Sequence, residues 1–123
     1  MQISGAESKI MEALWRRGPL VVDDILAEVA APQNWTDATV KALIGRLLKK
    51  GAIGSTRENG RAYYRPLVER DAWVLAESRG LLDKLFGGEL TPFVSHFTEK
   101  RLLSVEDRAR LKALIEKLDD DDR

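Results

Sequence analysis

Cationic side chains in one stretch of the sequence could bind a polyanion such as a nucleic acid. Between Thr36 and Arg65, seven Lys or Arg residues accompany only two carboxylates, Asp37 and Glu58. Because a nucleic-acid duplex carries a dense row of phosphates, such a cluster is the charge pattern that a phosphate-binding surface requires. The formal net charge of zero and a pI of about 6.6 conceal this cluster, since the rest of the chain is acidic. The seven cations are Lys41, Arg46, Lys49, Lys50, Arg57, Arg61 and Arg65.

The first half of this basic stretch has the periodicity of a helix that buries one side. Four apolar residues recur at i, i+3, i+4 and i+7, and Thr36 precedes them as the N-cap, followed by Asp37 at the positive end of the helix. After Asp37 the opposite side, here called the slim face, carries only short side chains and cations, which suits a major groove. The buried stripe is Val40, Leu43, Ile44 and Leu47, and the slim face is Ala38, Lys41, Ala42, Gly45 and Lys49.

Lys49, Lys50 and Gly51 can also be explained by the end of the helix alone. The two lysines are cations near the negative end of the helix dipole, and glycine is the residue type that most often follows a helix at C′. These three residues therefore need no nucleic acid to account for them. The earlier residues of the slim face are not explained in this way.

Two amphipathic helices are predicted before this segment. The sequence from Ser4 to Glu7 is a capping box, which predicts a first helix to about Arg17 that Gly18 and Pro19 end. The helical period then defines which of its side chains point to the core. The inward residues are expected to be Ala6, Ile10, Met11, Leu14 and Trp15.

The second helix is predicted to follow a very short strand. Residues 20–22 (Leu-Val-Val) have strand composition, and Asp23 and Asp24 favour a helix start after them. Residues 31–34 (Ala-Pro-Gln-Asn) then predict a turn, and Trp35 can pack on the next helix and set its entry angle. The buried face of the second helix is expected to comprise Val22, Ile25, Leu26 and Val29.

After Gly51 the apolar period changes from that of a helix to that of strands. Residues 52–57 and 61–65 alternate, and Glu58-Asn59-Gly60 lies between them, where Asn-Gly is the strongest short hairpin signal. Of Tyr63 and Tyr64, one should pack on the core and the other should face outward. The order helix, short strand, helix, helix, hairpin predicts a winged helix-turn-helix domain over residues 1–68.

Residues 69–123 are predicted to form a second domain of three amphipathic helices. The first helix runs from about Glu69 to Phe86 and ends at Gly87-Gly88, a short helix follows, and Ser104 caps the last, before a solvated tail at 119–122. Because a segment this short cannot bury its apolar stripes alone, we expect a second copy of the chain to cover them. The alternative is that the stripes line a ligand pocket. The fold class is mainly α with a small β hairpin. The expected dimerisation residues are Leu75, Leu82, Leu85, Phe86, Phe93, Phe97, Leu111, Leu114 and Leu118.

Composition excludes several classes of site. The chain has no Cys and one His, which excludes disulfides and thiolate metal sites and leaves no residues for a His-based site. No nucleophile and base pair stands out, so we expect neither an enzyme nor a cofactor. No apolar run reaches the roughly 20 residues of a membrane span, and the N-terminus lacks a signal-peptide pattern. We therefore expect a cytoplasmic protein without membrane insertion.

Short motifs along nearly the whole chain match one known family. They are Ile3-Ser4, Ala6-Glu7, Met11, Leu14-Trp15, Trp35, Thr39-Val40-Lys41, Leu43, Arg46-Leu47, Lys49-Lys50-Gly51, residues 64–68 and Phe86-Gly87-Gly88 before Phe97. In this order and spacing the chain resembles the penicillinase-repressor (BlaI/MecI/CopY) family. The resemblance implies a dimeric winged-helix repressor that binds a short dyad operator in double-stranded DNA. In resistance systems it also implies repressor proteolysis when a membrane sensor protease, acting directly or indirectly, responds to a β-lactam.

Departures from the family pattern bear on this function. Many members have Thr at the position of Ala42 and a polar residue at that of Gly45, so the operator is expected to differ. Family cleavage falls at an Asn-Phe bond, whereas the aligned pair here is His96-Phe97, which should reduce susceptibility. The copper-responsive members end in a Cys cluster that this chain lacks. His96 itself is interpreted as a polar tip on an interface helix, in preference to a ligand or catalytic role.

These patterns predict a repressor that blocks transcription by covering promoter DNA. The start of the 36–50 helix would enter the major groove, where Thr39 and Lys41 reach phosphate or base edges and Ala42 meets a thymine methyl. The arginines of the 52–66 hairpin would bind backbone phosphate. The alternative is a winged-helix module that binds an acidic protein through an exposed aromatic centre. The expected DNA-binding residues are Thr36, Ala38, Thr39, Lys41, Ala42, Gly45, Arg46, Lys49, Arg57, Arg61 and Arg65.

Overall fold

A computed structural model describes residues 2–122 of the chain. Within those residues the chain forms six helices and one two-stranded antiparallel sheet. The predicted fold class, mainly α with a small β hairpin, is confirmed. In chain order the elements are α1 (Gly5–Arg17), α2 (Val22–Gln33), α3 (Asp37–Lys50), β1 (Ile53–Glu58), β2 (Arg61–Pro66), α4 (Arg70–Phe86), α5 (Leu90–Glu99) and α6 (Val105–Asp121).

The first compact unit extends to Val74, inside α4, and contains one apolar core. Three helices and the hairpin supply it, and the predicted stripe of α3 is buried as expected. Because a fully buried Leu or Ile side chain contributes about 1.5–3 kcal/mol, this core is the main stabilising feature of the unit. Its buried residues are Ile3, Ile10, Met11, Ala13, Leu14, Leu20, Ile25, Val29, Val40, Leu43, Ile44, Leu47, Ala52 and Ile53.

Helix α1 begins with the predicted capping box but buries a different residue in its first turn. The Ser4 hydroxyl accepts from Glu7 N at 3.0 Å, and Ser4 N donates to Glu7 Oε1 at 2.9 Å. Ala6, which was predicted to point inward, is exposed, whereas Glu7 is buried. The prediction was wrong because the buried stripe through Ile10 and Leu14 continues one turn back to Glu7.

The chain around α2 also differs from the sequence prediction. The expected strand is reduced to a single bridge, in which Leu20 N donates to Tyr64 O at 3.0 Å and Tyr64 N donates to Leu20 O at 2.8 Å. The predicted turn at 31–34 is wrong, since α2 continues through Pro32. Pro32 has no N–H to donate to the preceding turn, and only Gln33 follows it in the helix, so the helix ends soon after the proline. Asn34, at φ 57°, then ends the helix and donates to the carbonyl of Ala31 at 3.1 Å.

The predicted hairpin forms and defines the wing, residues 53–66, but Glu58, which was predicted in the turn, is the last residue of β1 and pairs with Arg61. Asn59 and Gly60 both have positive φ, 52° and 78°, which is the geometry of a two-residue type I′ turn. The strands pair from Ile53 with Pro66 to Glu58 with Arg61. Tyr64 packs against the core and Tyr63 lies on the opposite strand face, so the expected alternation of the two tyrosines is confirmed.

The second compact unit begins at Leu75 and contains the rest of α4, with α5 and α6. Phe93 contacts Phe86 edge-on, with ring centroids 5.7 Å apart, and Phe97 at 4.9 Å. None of the three helices has a fully buried side chain. Residues 119–121, predicted as tail, extend α6 instead, because Asp costs a helix only tenths of a kcal/mol and the capping box at Ser104 supports its start.

Candidate nucleic-acid interface

The start of α3 is held by two threonine hydroxyls. Thr36 Oγ1 accepts from Thr39 N at 3.2 Å and lies 3.0 Å from Thr39 Oγ1. Thr36 therefore is the predicted N-cap. Both threonines are exposed, and the positive end of the helix dipole lies at the same place. This arrangement offers hydroxyls and backbone N–H groups to an approaching anion.

The slim face of α3 is exposed along its whole length, opposite the buried stripe. Gly45 is open: a Cβ placed on it would have no atom within 4 Å. Packing inside the chain therefore does not require glycine at this position. Its residues Ala38, Lys41, Ala42, Gly45 and Lys49 are all exposed, and so are Thr39 and Arg46 beside it.

Lys50, the last residue of α3, points toward the start of α1 and forms an ion pair with Glu7 there. Its Nζ donates to Glu7 Oε1 at 2.5 Å and to the Gln2 carbonyl at 2.8 Å. Burial raises the pKa of Glu7, but hydrogen bonds from Lys50 and Ser4 outweigh burial and hold that pKa below its ordinary value. The lysine therefore closes the helix end, together with Gly51 at φ 77°.

Sequence reasoning missed the pairing of Glu7 with Lys50. The capping box already gave Glu7 a local role on the backbone, and its partner lies 43 residues away in the chain. One signal was available, because Glu7 falls on the same helical stripe as Met11 and Leu14. A carboxylate on a core-facing stripe requires a cation nearby. Lys50 at the end of α3 supplies it.

The wing brings two of its three predicted arginines to one face. Arg61 and Arg65 lie on the same strand face as Tyr63, whereas Arg57 lies on the other face near the turn. Arg57 Nη1 donates to the Gly60 carbonyl at 3.2 Å, and Arg61 Nη2 lies 3.7 Å from an oxygen of Asp23 in α2. Both interactions are exposed, so the guanidinium groups stay accessible to phosphate.

The residues predicted to form a dimer contact lie on α4, α5 and α6 of the second unit, where they remain partly or largely exposed. Leu75, Leu85, Leu114 and Leu118 are each more than half exposed. An open apolar groove of about 520 Å³ lies between α5 and α6 and includes Ile115. The half-buried members of the set are Leu82, Phe86, Phe93, Phe97 and Leu111.

His96 is exposed on α5, and the His96-Phe97 bond lies inside that helix. Among residues 2–122 no three His, Asp or Glu side chains come together as a metal site. No helix in the same range is long and apolar enough to span a bilayer. The exposed cations on α3 and the wing are those that the sequence predicted to bind phosphate.

Comparisons with known proteins agree with this geometry. The penicillinase repressor of Bacillus licheniformis is 27% identical over 115 residues, covering 94% of this chain and 90% of that protein. MecI, the methicillin resistance regulatory protein of Mammaliicoccus sciuri, is 29% identical over 116 residues, 94% of each. The solution structure of monomeric B. licheniformis BlaI in complex with the blaP half-operator matches with a TM-score of 0.53 at 27% identity, over 58% of this chain and 87% of that one. The family model described as Penicillinase repressor matches residues 3–117, and the chain belongs to this family.

Proposed function

We propose that the chain is a homodimeric transcriptional repressor that binds a short dyad operator in double-stranded DNA through α3 and the wing. The observation that carries this proposal is the slim face of α3, which is exposed along its length and holds only small residues and cations. The relative from B. licheniformis was solved on a half-operator, and its likeness to the first unit supports the same use of the surface. Repression would follow from occlusion, since a protein on the promoter blocks polymerase.

In this proposal the start of α3 enters the major groove. Thr39 and Lys41 contact phosphate or base edges, and the methyl groups of Ala38 and Ala42 meet thymine methyls. Arg46 and Lys49, further along the exposed side, contact phosphates on the groove wall. Because the side chains that face the bases are small, each half-site supplies modest sequence discrimination.

The wing adds backbone contacts beside the groove. Arg61 and Arg65 share one face and would bind phosphates together, and the open turn at Asn59-Gly60 lets Arg57 approach from the tip. The pairing of Arg61 with Asp23 is solvent-exposed and contributes about 0–1 kcal/mol, so a phosphate can replace the carboxylate. These contacts strengthen binding to every sequence alike.

The second unit is proposed to join two subunits. Its exposed leucines form more apolar surface than a helical unit of this size can cover by itself. An isologous contact between two copies would bury Leu114 and Leu118 of each and place two α3 helices on one dyad. Linking two weak half-sites in this way raises affinity about 10²-fold or more through effective concentration.

Release of the operator is proposed to follow cleavage of the His96-Phe97 bond in a β-lactam-type sensing pathway. The bond lies within α5, and the Phe97 ring packs on Phe93, so a protease requires local opening of the helix. Cleavage would separate α6 from the rest of the chain and remove part of the dimer contact. Immunoblots of β-lactam-treated cells test this step: a fragment ending near His96 supports it, and intact protein during derepression contradicts it.

The proposed DNA binding is tested by selecting duplexes from a random library with the purified protein. Footprinting of the region upstream of its own gene follows. A dyad sequence should be enriched and protected. Enrichment of no duplex, together with capture of an acidic protein, would favour the winged-helix protein-binding alternative. The genes next to it provide a further check on the signal, since a membrane metalloprotease sensor is expected there under the proteolytic proposal.

A further inference from the structure

Glu7 is the one fully buried polar or charged side chain among residues 2–122, at 1% exposure. Its Oε1 accepts from Ser4 N and from Lys50 Nζ, at 2.9 and 2.5 Å. Its Oε2 is buried and has no hydrogen-bond partner in the described chain. The carboxylate therefore depends on a single cation for its charge balance, and that cation lies on a different helix.

Lys50 spans from α3 to the start of the chain. Besides Glu7, its Nζ binds the Gln2 carbonyl at 2.8 Å, and its side chain is about one third exposed, at 35%. The neighbouring Lys49 has its side chain in solvent on the slim face. Of these two adjacent lysines, one is thus engaged with the protein and the other faces outward.

We propose that Glu7 and Lys50 are positioning residues for α3, and that Lys50 supplies no charge to phosphate binding. This inference deepens the proposed function and rests on it. An apolar stripe can shift or rotate slightly against a core of similar side chains, whereas a buried ion pair with directed hydrogen bonds favours one arrangement. Thr36 defines where α3 begins, and the pair holds its last turn against the start of α1.

Lys50→Met and Lys49→Met form a matched pair that separates positioning from phosphate contact. Both variants lose one charge and keep an unbranched stem. Positioning predicts that Lys50→Met lowers the preference for a selected duplex over a scrambled one about tenfold, as the loss of one base contact does. The slope of log affinity against log salt should stay unchanged. Lys49→Met should reduce that slope by about 1 and leave the preference unchanged.

A reduced salt slope in Lys50→Met with unchanged preference would overturn the inference, because that is the signature of a phosphate contact. Lys50→Arg keeps the charge and the donors, so it should retain the preference of the wild type. If Lys50→Arg lost this preference to the same extent as Lys50→Met, the inference would also be wrong, since keeping the charge would not restore the position of α3.

Thermal unfolding tests the pair independently of DNA and covers the case in which a variant is unstable. Lys50→Met leaves the buried Glu7 carboxylate without its cation and should lower the Tm by about 10 °C or more, whereas Glu7→Gln leaves a lysine that reaches solvent and should lower the Tm less. The double variant should lose no more than the worse single variant. Faster amide exchange in the last turn of α3 should accompany the loss. Additive Tm losses would overturn the inference. If the wild type binds no duplex, the proposed function is wrong. The Tm values of the single and double variants then decide by themselves whether the ion pair positions α3.

Discussion

Trp15 in α1 holds the segment that follows the wing through a hydrogen bond from its Nε1 to the Val68 carbonyl at 2.8 Å. Trp73, at the start of α4, packs beside it with ring centroids 5.5 Å apart. Arg70 Nε lies 3.2 Å from both oxygens of Glu12. The segment that follows the wing and the first turn of α4 are thus both attached to α1 within the first unit.

Replacing Trp15 by Phe should cost about 1 kcal/mol more than the same change at Trp73. Trp15→Phe removes a hydrogen bond and leaves the partly buried Val68 carbonyl without its donor, whereas the Nε1 of Trp73 is buried and has no partner in the described chain. Both changes remove the same atoms, so the loss of ring area cancels in the comparison. Urea unfolding monitored by circular dichroism measures the difference, and equal losses would show that the hydrogen bond contributes nothing.

Acid should destabilise the first unit through two carboxylates. The pKa of Glu7 lies below its ordinary value of 4.5 because hydrogen bonds from Lys50 and Ser4 outweigh burial, and the hydrogen bond from Arg17 lowers the pKa of Glu28. A carboxyl group whose pKa is lower in the folded chain contributes stability above its unfolded value and loses it as pH falls through the folded value.

The free energy of unfolding should therefore be constant near neutral pH and fall as pH drops below about 4.5. Glu7→Gln should flatten part of that decline because it removes the titrating group. Lys50→Met should flatten it at least as much, since burial then acts on the Glu7 carboxyl without the hydrogen bond that most lowers its pKa. Thermal unfolding scans across pH measure this. A decline that is identical in wild type and Glu7→Gln would mean that Glu7 is not one of the groups responsible.

The parts of the fold that depend on local signals were predictable from the sequence. The capping threonine at 36, the stripe from Val40 to Leu47 and the Asn59-Gly60 turn each depend on residues within one or two turns of the chain, so composition and spacing are sufficient. The exposure of the slim face follows from the same stripe, since opposite sides of a helix have opposite surroundings.

The features that escaped prediction depend on distant partners or on small energies. Glu7 lies inward because of Lys50, and nothing next to Glu7 in the sequence indicates that contact. Pro32 is the next-to-last residue of α2, so the helix ends at Asn34 directly after the proline has removed a hydrogen bond and crowded the preceding turn. The strand at Leu20 is one residue long because Asp23 and Asp24 favour a helix start already at Val22.

Ala42→Thr should change which operators the protein prefers. Ala42 is exposed on the slim face, and a Thr there places a hydroxyl and a methyl group toward the groove without disturbing the core. Competition between duplex variants should shift by about 1–3 kcal/mol at one base pair, while affinity for scrambled DNA stays constant. An unchanged ranking of duplexes would indicate that this position faces no base.

Leu114→Asp should convert the proposed dimer to monomer. Leu114 is 58% exposed in the single chain, so a carboxylate there is tolerated unless a second copy covers it. Burying that charge in a subunit contact costs several kcal/mol. Sedimentation should show the monomer, and operator affinity should fall about 10²-fold. Ala113→Asp, also exposed on α6, is the control. A Leu114→Asp protein that remains a dimer would exclude this surface.

The salt dependence of operator affinity in single-charge variants tests most directly whether α3 and the wing form the DNA-binding surface. Between roughly 50 and 200 mM salt, Lys41→Ala and Arg61→Ala should each weaken binding and reduce the slope of log affinity against log salt by about 1. Arg79→Ala in α4 of the second unit should leave the slope unchanged. Slopes for Lys41→Ala and Arg61→Ala that equal the wild-type slope would contradict the assignment of this surface to DNA.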